Sequence, residues 1–327
     1  MTPPLPRIAT NEDYYRMRFS PLESWQPLLA QIFARQHLPL SAIARFSTGE
    51  SPVFAVGEQW VVKLLPHFWA ELADREIAAL DHLRDCAVRR PRLLATGRVD
   101  DWIFLLMDRL PGERLDVLWP RLTAPERLTA AREFGAALRQ LHALPPAAPA
   151  NVAPPWSAFL ESRLAAWPSR PSVQKLPAPL RDTGPDFIRS VLAKTPALSE
   201  ADARLLHGDL APENCLFASN PNDGAWHCSG LIDFGQARFG APEFDFPAPT
   251  VLLGRSAAVE LPATRAALLD EYFAGYGLTK PIDHELRQRL MAYSLLHPLH
   301  DVSGALALEP ASLTCESWAD VAPHFWP

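Results

Sequence analysis

Cysteine is scarce in this 327-residue sequence: Cys86, Cys215, Cys228 and Cys315 are spread along the chain with no CxxC and no Cys/His ligand spacing. That excludes a disulfide framework or a zinc module as the basis of the fold, and four reduced, mainly buried thiols are expected. No stretch runs eighteen apolar residues without a charge, and the first twenty residues carry Pro3, Pro4, Pro6, Glu12 and Asp13 where a leader would have an apolar core. A cytoplasmic protein without membrane contact is expected. A surplus of positive charge is missing as well: phosphate binding needs clustered Lys and Arg, and the formal net charge of −6 argues against a nucleic-acid partner. There is no internal repeat and no low-complexity tract beyond a proline-dense stretch.

What is present is an ordinary core composition, with 48% apolar residues in a length that can hold two lobes. The acidity is uneven. Residues 1–110 carry 13 basic and 13 acidic side chains, whereas residues 205–327 carry 6 and 15. A C-terminal third with that field draws in cations. The same charge also serves as a solvated, solubilising surface.

Periodicity divides the chain in the same way. Leu22 to Leu38 spaces Trp25, Leu28, Leu29, Ile32 and Phe33 as one face of a helix. SAIARF, SPVFAV and QWVVKLL read as short strands separated by Gly49 and by Gly57-Glu58. Phe68 to Leu83 returns to helical spacing, and RLLATGRV and WIFLLM add two strands around Asp100-Asp101. The order β-β-β-α-β-β predicts a five-stranded antiparallel sheet with one packed helix. The breaker-rich Asp108-Arg109-Leu110-Pro111-Gly112 follows as a hinge. Mainly helix comes after it: a long core helix over Ala124 to Leu144, then shorter ones near Ser157–Trp167 and Asp186–Ala193 within proline-dense sequence. The expected fold class is α+β in two lobes: 1–107 as an N-terminal lobe, 108–112 as the hinge, and 113–327 as a mainly helical C-terminal lobe with a 143–204 insertion.

The residues that carry chemistry lie in LLHGDLAPENCLF, 205–217, and GLIDFGQARFG, 230–240. The first places Asp209 and Asn214 five residues apart in a loop that runs into a strand. The second ends a strand on Asp233. Phosphoryl transfer asks a protein for positioning, divalent metal and a carboxylate beside the attacking hydroxyl. Asp209 is read as the catalytic carboxylate, and Asn214 and Asp233 as ligands of Mg2+, which prefers hard oxygens. His207 is expected to brace the loop.

These segments resemble the aminoglycoside phosphotransferases and their protein-kinase-like relatives. The resemblance runs from SPVFAVGEQWVVKLL through RPRLLATG, FLLMDRLPGERL and FGAALRQLHALP to the two catalytic segments and GAPEFDF. It implies a two-lobed kinase-like fold, ATP or GTP as phosphate donor, and Mg2+. It also implies that Lys63 binds the α- and β-phosphates and that Glu76 holds Lys63, with Glu71 as the competing partner. The loop from Phe46 to Ser51 lacks GxGxxG, so backbone groups near Ser47, Gly49 and Ser51 would cover the phosphates. Backbone groups from Met107 to Leu110 would meet the adenine edge. ESWQPL, GESPVFAVG, YSLLHPLHDV and HFWP add a likeness to hygromycin B phosphotransferases of the 7''-hydroxyl type.

An aminoglycoside or aminocyclitol acceptor bearing ammonium groups would call on acidic residues downstream of Asp233: Asp245 first, then Asp270, Glu271 and Asp301. Asp245 also matches a family position that braces the catalytic loop. A metal trio of His297, His300 and Asp301 ranks low, since helically spaced His is more often packed. A protein kinase is disfavoured because Ala241-Pro242-Glu243 comes six residues after Gly235, leaving no room for a peptide platform. Kinases of choline, homoserine, fructosamine or sugars remain open, as does a non-catalytic binding module. A monomer or weak dimer is expected.

Overall fold

A computed structural model describes residues 7–47, 49–144, 155–222, 224–246, 262–278, 282–307 and 310–326. The protein is α+β. It divides into two compact units: the first comprises residues 1–85, 90–110 and 234–236, and the second 86–89, 111–233 and 237–327.

The first unit is a sheet with helices. Strands β1 (Ile43–Arg45), β2 (Val53–Val56), β3 (Trp60–Pro66), β4 (Leu93–Val99) and β5 (Trp102–Asp108) lie in the order β1-β2-β3-β5-β4, all antiparallel. Tight connections at Gly57, with φ of 60°, and at Asp100, with φ of 52°, let successive strands pair as neighbours. Helix α2 (Leu22–Arg35) buries the predicted face: Trp25, Leu29 and Ile32 pack with Phe54, Val62, Leu64 and Trp102 in one core. Helix α3 (Ala70–His82) follows β3 and buries Ala73, Glu76, Ala79 and Leu80.

A seven-residue helix, α1 (Asn11–Met17), was not expected from the sequence. Its span is too short and too charged to show periodicity, and a capping box between Thr10 and Asp13 starts it. Buried Tyr14 anchors it, with a ring centroid 4.6 Å from that of Trp69.

The second unit is mainly helical and carries two small sheets among the described residues. Helix α5 (Ala124–His142) runs along α9 (Pro262–Tyr276), and two glycines let the backbones meet. A Cβ on Gly135 would sit 2.0 Å from Tyr272 O, and one on Gly275 would sit 2.0 Å from Arg132 O. Helices α4 (Leu115–Leu118), α6 (Trp156–Ala165), α7 (Pro171–Gln174), α8 (Ala178–Lys194), α10 (His284–Leu296), α11 (Val302–Ala307) and α12 (Trp318–Phe325) complete the helical set. Strands β6 (Glu113–Arg114), β8 (Cys215–Ser219) and β9 (Trp226–Leu231) form one sheet in the order β6-β8-β9. The second sheet pairs β7 (Arg204–Leu206) with β10 (Arg238–Gly240).

The proline-dense stretch corrects one expectation. The helix foreseen from Asp186 begins eight residues earlier, at Ala178, and passes through Pro185. A proline there removes the hydrogen bond to the carbonyl four residues back, that of Arg181. Trp167 Nε1 donates to Arg181 O at 3.0 Å and replaces it. The proline-dense residues 145–154 lie outside the described residues.

Candidate active site

In the first unit the central feature is a buried ion pair. Lys63 stands in the middle of β3, between Val53 on β2 and Leu105 on β5. Its Nζ lies 2.7 Å from Glu76 Oε2 of α3, with side-chain exposures of only 7% and 2%. An ammonium so deep in an apolar sheet requires a carboxylate partner, because desolvation of an isolated charge is far costlier than any gain from packing. Glu71 instead lines a cavity of about 510 Å³ with Glu50, Trp69 and Arg75.

Ser47, Gly49 and Ser51 lie in the loop between β1 and β2, with Ser47 and Gly49 exposed and Gly49 at φ of 104°. Helix α1 holds this loop from outside. Tyr14 Oη donates to Glu50 O at 2.6 Å, Tyr15 Oη to Glu50 Oε1 at 2.6 Å, and Arg18 to Glu50 O at 3.1 Å. Burial pushes the Tyr14 phenol up to about 12, which keeps it a donor. Met107 is buried in the sheet opposite Val61. The next two amides are taken by the unit's own backbone, Asp108 N on Arg92 O and Arg109 N on Gln59 O. Leu110, half-buried, follows them.

In the second unit the His207–Asn214 segment is suspended from a buried carboxylate. β7 ends at Leu206, and the chain then turns through Gly208 at φ of 76°. Asp245, whose side chain is fully buried, accepts from His207 N at 2.5 Å and Gly208 N at 2.8 Å. His142 Nε2 lies 3.1 Å from the same carboxylate, and His142 Nδ1 lies 2.9 Å from Tyr276 Oη. A carboxylate can only accept, so Nε2 carries the hydrogen and Nδ1 accepts from the tyrosine. Burial raises the Tyr276 phenol, which keeps it a donor. His207 Nε2 reaches Ile232 O at 2.9 Å, tying this segment to the end of β9.

Asp209 and Asn214 come together inside the loop. Asn214 Nδ2 donates to Asp209 O at 2.8 Å and to Asp209 Oδ2 at 3.1 Å. Pro212 opens a short 3-10 turn that brings Asn214 back toward Asp209. Ile232 N donates to Asn214 O at 2.9 Å, so the residue just before Asp233 is fastened to Asn214. Asp233 is exposed and takes φ of 66°, a left-handed conformation sparsely used by residues with a Cβ. The Asn214 amide gives its NH2 to Asp209 and retains its oxygen as a hard donor, while Asp233 presents a carboxylate. That set suits Mg2+, which takes few protein ligands and completes its shell with phosphate oxygens and water. Among the described residues no group of three or more His, Cys, Asp or Glu forms a ready-made metal cage.

The acidic residues named from the sequence have separate environments. Asp245 is interior and fully engaged by His142, His207 and Gly208. Asp270 is exposed on α9. Glu271 is paired with Arg132 Nε at 2.6 Å. Asp301 caps α11, accepting from Ser303 Oγ at 2.7 Å and Gly304 N at 3.1 Å, and these contacts hold its carboxyl below the usual range. Buried His297 and half-buried His300 stack at 3.8 Å, and desolvation drives both below the usual imidazole range, His300 to about 3. His142 and Tyr14 had no assigned role in the sequence. His142 stands in the LHALP motif, whereas Tyr14 had no usable signal.

Residues 42–292 match the family model of the phosphotransferase enzyme family. The chain belongs to that family. Similar solved structures give a consistent picture of the fold. An aminoglycoside phosphotransferase of the 3''-Id type from Streptomyces rimosus superimposes with a TM-score of 0.57 at 19% identity, covering 83% of this chain and 98% of that one. The GDP complex of aminoglycoside 2'-phosphotransferase-IIIa gives 0.62 at 20% identity, with 86% and 96% covered. Viomycin phosphotransferase of Streptomyces vinaceus is 30% identical over 197 residues, 54% of this chain. The chain spans 62% of that relative's length.

Proposed function

We propose that this member of the phosphotransferase enzyme family transfers the γ-phosphate of ATP or GTP to a hydroxyl of a small cationic acceptor, an aminoglycoside or aminocyclitol such as hygromycin B. The observation that carries this reading is the Asp209–Asn214 pair, held in one loop by hydrogen bonds at 2.8 and 3.1 Å and suspended from buried Asp245. A loop fixed in this way presents a carboxylate with little freedom to reorient, which positional catalysis requires.

Asp209 accepts the proton of the acceptor hydroxyl as that oxygen attacks phosphorus in line. Lys63, kept oriented by Glu76, balances the charge of the α- and β-phosphates. Asn214 and Asp233 would hold Mg2+, which neutralises charge on the phosphate oxygens when bound. The β1–β2 loop, with Ser47, Gly49 and Ser51, covers phosphate through its backbone, and Leu110 offers its backbone to the base. Asp245 acts on the reaction by holding the loop and is assigned as a positioning residue. Of the acidic residues named as acceptor contacts, exposed Asp270 carries no ion pair among the described residues, whereas Glu271 and Asp301 are already engaged.

The test is magnesium-dependent nucleotide turnover of purified protein against hygromycin B, other aminoglycosides, viomycin, choline, homoserine and simple sugars. Turnover restricted to aminocyclitols supports the reading. Turnover with choline or a sugar alone would move the protein to metabolite phosphorylation, and absence of any turnover despite nucleotide binding would remove the catalytic assignment.

A further inference from the structure

Two thiols thirteen residues apart lie side by side in the second unit: Cys215 Sγ and Cys228 Sγ are 3.4 Å apart. The β8–β9 register accounts for this. Phe217 pairs with Cys228 and Cys215 with Leu231, with a register shift between Leu216 and Phe217. Alternate residues of a strand share a face, so Cys215 and Phe217 point the same way, and Cys228 joins them as the diagonal neighbour of Cys215.

The two sulfurs differ in environment. Cys215 is fully buried. Cys228 is half-buried and lines a cavity of about 310 Å³ with Val88, Arg89, Glu133, Gln140 and His227. A reagent therefore meets Cys228 first, and Cys215 lies behind it. One sulfur is thus the accessible nucleophile and the other its buried resolving partner. Phosphoryl transfer uses neither.

We infer that Cys215 and Cys228 form a dithiol site at which a small hydroperoxide is reduced as the pair closes to an intramolecular disulfide. The Cys228 thiolate attacks the terminal peroxide oxygen. An S–O bond forms, the O–O bond breaks, and the departing hydroxide or alkoxide takes up the proton that the Cys228 thiol gave to solvent. Cys215 sulfur then attacks Cys228 sulfur, an S–S bond forms and the S–O bond breaks, and the Cys215 proton leaves with the hydroxide as water. The thiols give up two electrons, and the peroxide accepts them. A disulfide needs its sulfurs at about 2.05 Å, so the pair must close by about 1.4 Å, which rotation of two side chains on one face of a hairpin supplies. The other two thiols differ in setting: Cys315 Sγ is engaged by Ala311 O at 3.6 Å, and Cys86 lies in the segment following α3.

Hydrogen peroxide applied to the reduced full-length chain tests this. After denaturation and alkylation, two of the four thiols should be lost to reagent and the mass of the unalkylated chain should fall by about 2 Da, reversed by dithiothreitol. Cleavage before Asp223 separates the two cysteines, and the two peptides should stay joined until reduction. The full chain with Cys215→Ser should trap a sulfenic acid on Cys228 as a dimedone adduct, a readout that does not depend on closing the bond. Four alkylatable thiols after peroxide, or a link through Cys86 or Cys315, would overturn the inference. So would a dimedone adduct on a cysteine other than Cys228.

Discussion

In the first unit a buried ammonium on a strand is compensated by a carboxylate. Lys63 meets Glu76 at 2.7 Å, with the ammonium on a central strand and the carboxylate on the helix that follows. In the second unit a buried carboxylate, Asp245, gathers donors from two distant segments: His142 of α5 and the amides of His207 and Gly208. The first arrangement fixes one side chain. The second fixes a stretch of backbone, and with it Asp209 and Asn214. A strand already rigid in its ladder needs only its charge compensated, whereas a loop without a ladder needs its amides paired before it can present a carboxylate in one place.

That difference can be broken from either side. Asp209→Ala should lower turnover by roughly 10² to 10⁴-fold, measured at saturating nucleotide and acceptor. Asp245→Asn puts an amide donor where a buried acceptor met N–H groups, at a cost of roughly 1–3 kcal/mol. Turnover should fall at least about tenfold while nucleotide affinity stays within about threefold, and the denaturant midpoint should drop. An equal loss of nucleotide affinity would mean that Asp245 holds more than the loop.

The pH dependence of stability should follow the stacked histidines. His300 is depressed from 6.5 to about 3. The unfolded chain therefore binds a proton below 6.5 that the folded chain refuses, and stability is lost as pH falls through that window, on the order of 5 kcal/mol at full titration. Urea unfolding between pH 7 and pH 4 checks the slope, and His300→Phe should flatten it. The smallest effect belongs to the surface. Glu271→Gln removes a pair with Arg132 whose side chains are 55% and 31% exposed, and the thermal midpoint should stay within about 3 °C.

The sequence revealed the first unit almost in full because its strands and helices carry regular periods, Trp25 to Phe33 and Trp60 to Leu65 being the clearest. Helix α1 was invisible because seven residues, Asn11–Met17, carry too little pattern, and its stability comes from a capping box and from Tyr14 packing on Trp69. In the second unit the helix was read only from Asp186, although it begins at Ala178, because the repair at Pro185, the Trp167 indole on Arg181 O, comes from outside the helix. The five-residue spacing of Asp209 and Asn214 was legible, and the loop brings the two within hydrogen-bond distance. The bond between His142 and Asp245 spans 103 residues and has no local signal. Counting acidic residues found Glu271 and Asp301 but not their engagements with Arg132 and with the first turn of α11, since composition does not say where a charge points.

The most direct test is magnesium-nucleotide affinity measured side by side in Lys63→Ala and Asp209→Ala. The account predicts at least about a tenfold loss for Lys63→Ala and less than about threefold for Asp209→Ala, although the latter no longer turns over. Comparable losses in both variants, or tight binding in Lys63→Ala with weak binding in Asp209→Ala, would contradict the assignment of nucleotide binding to the first unit's ion pair and of proton transfer to the second unit's braced loop.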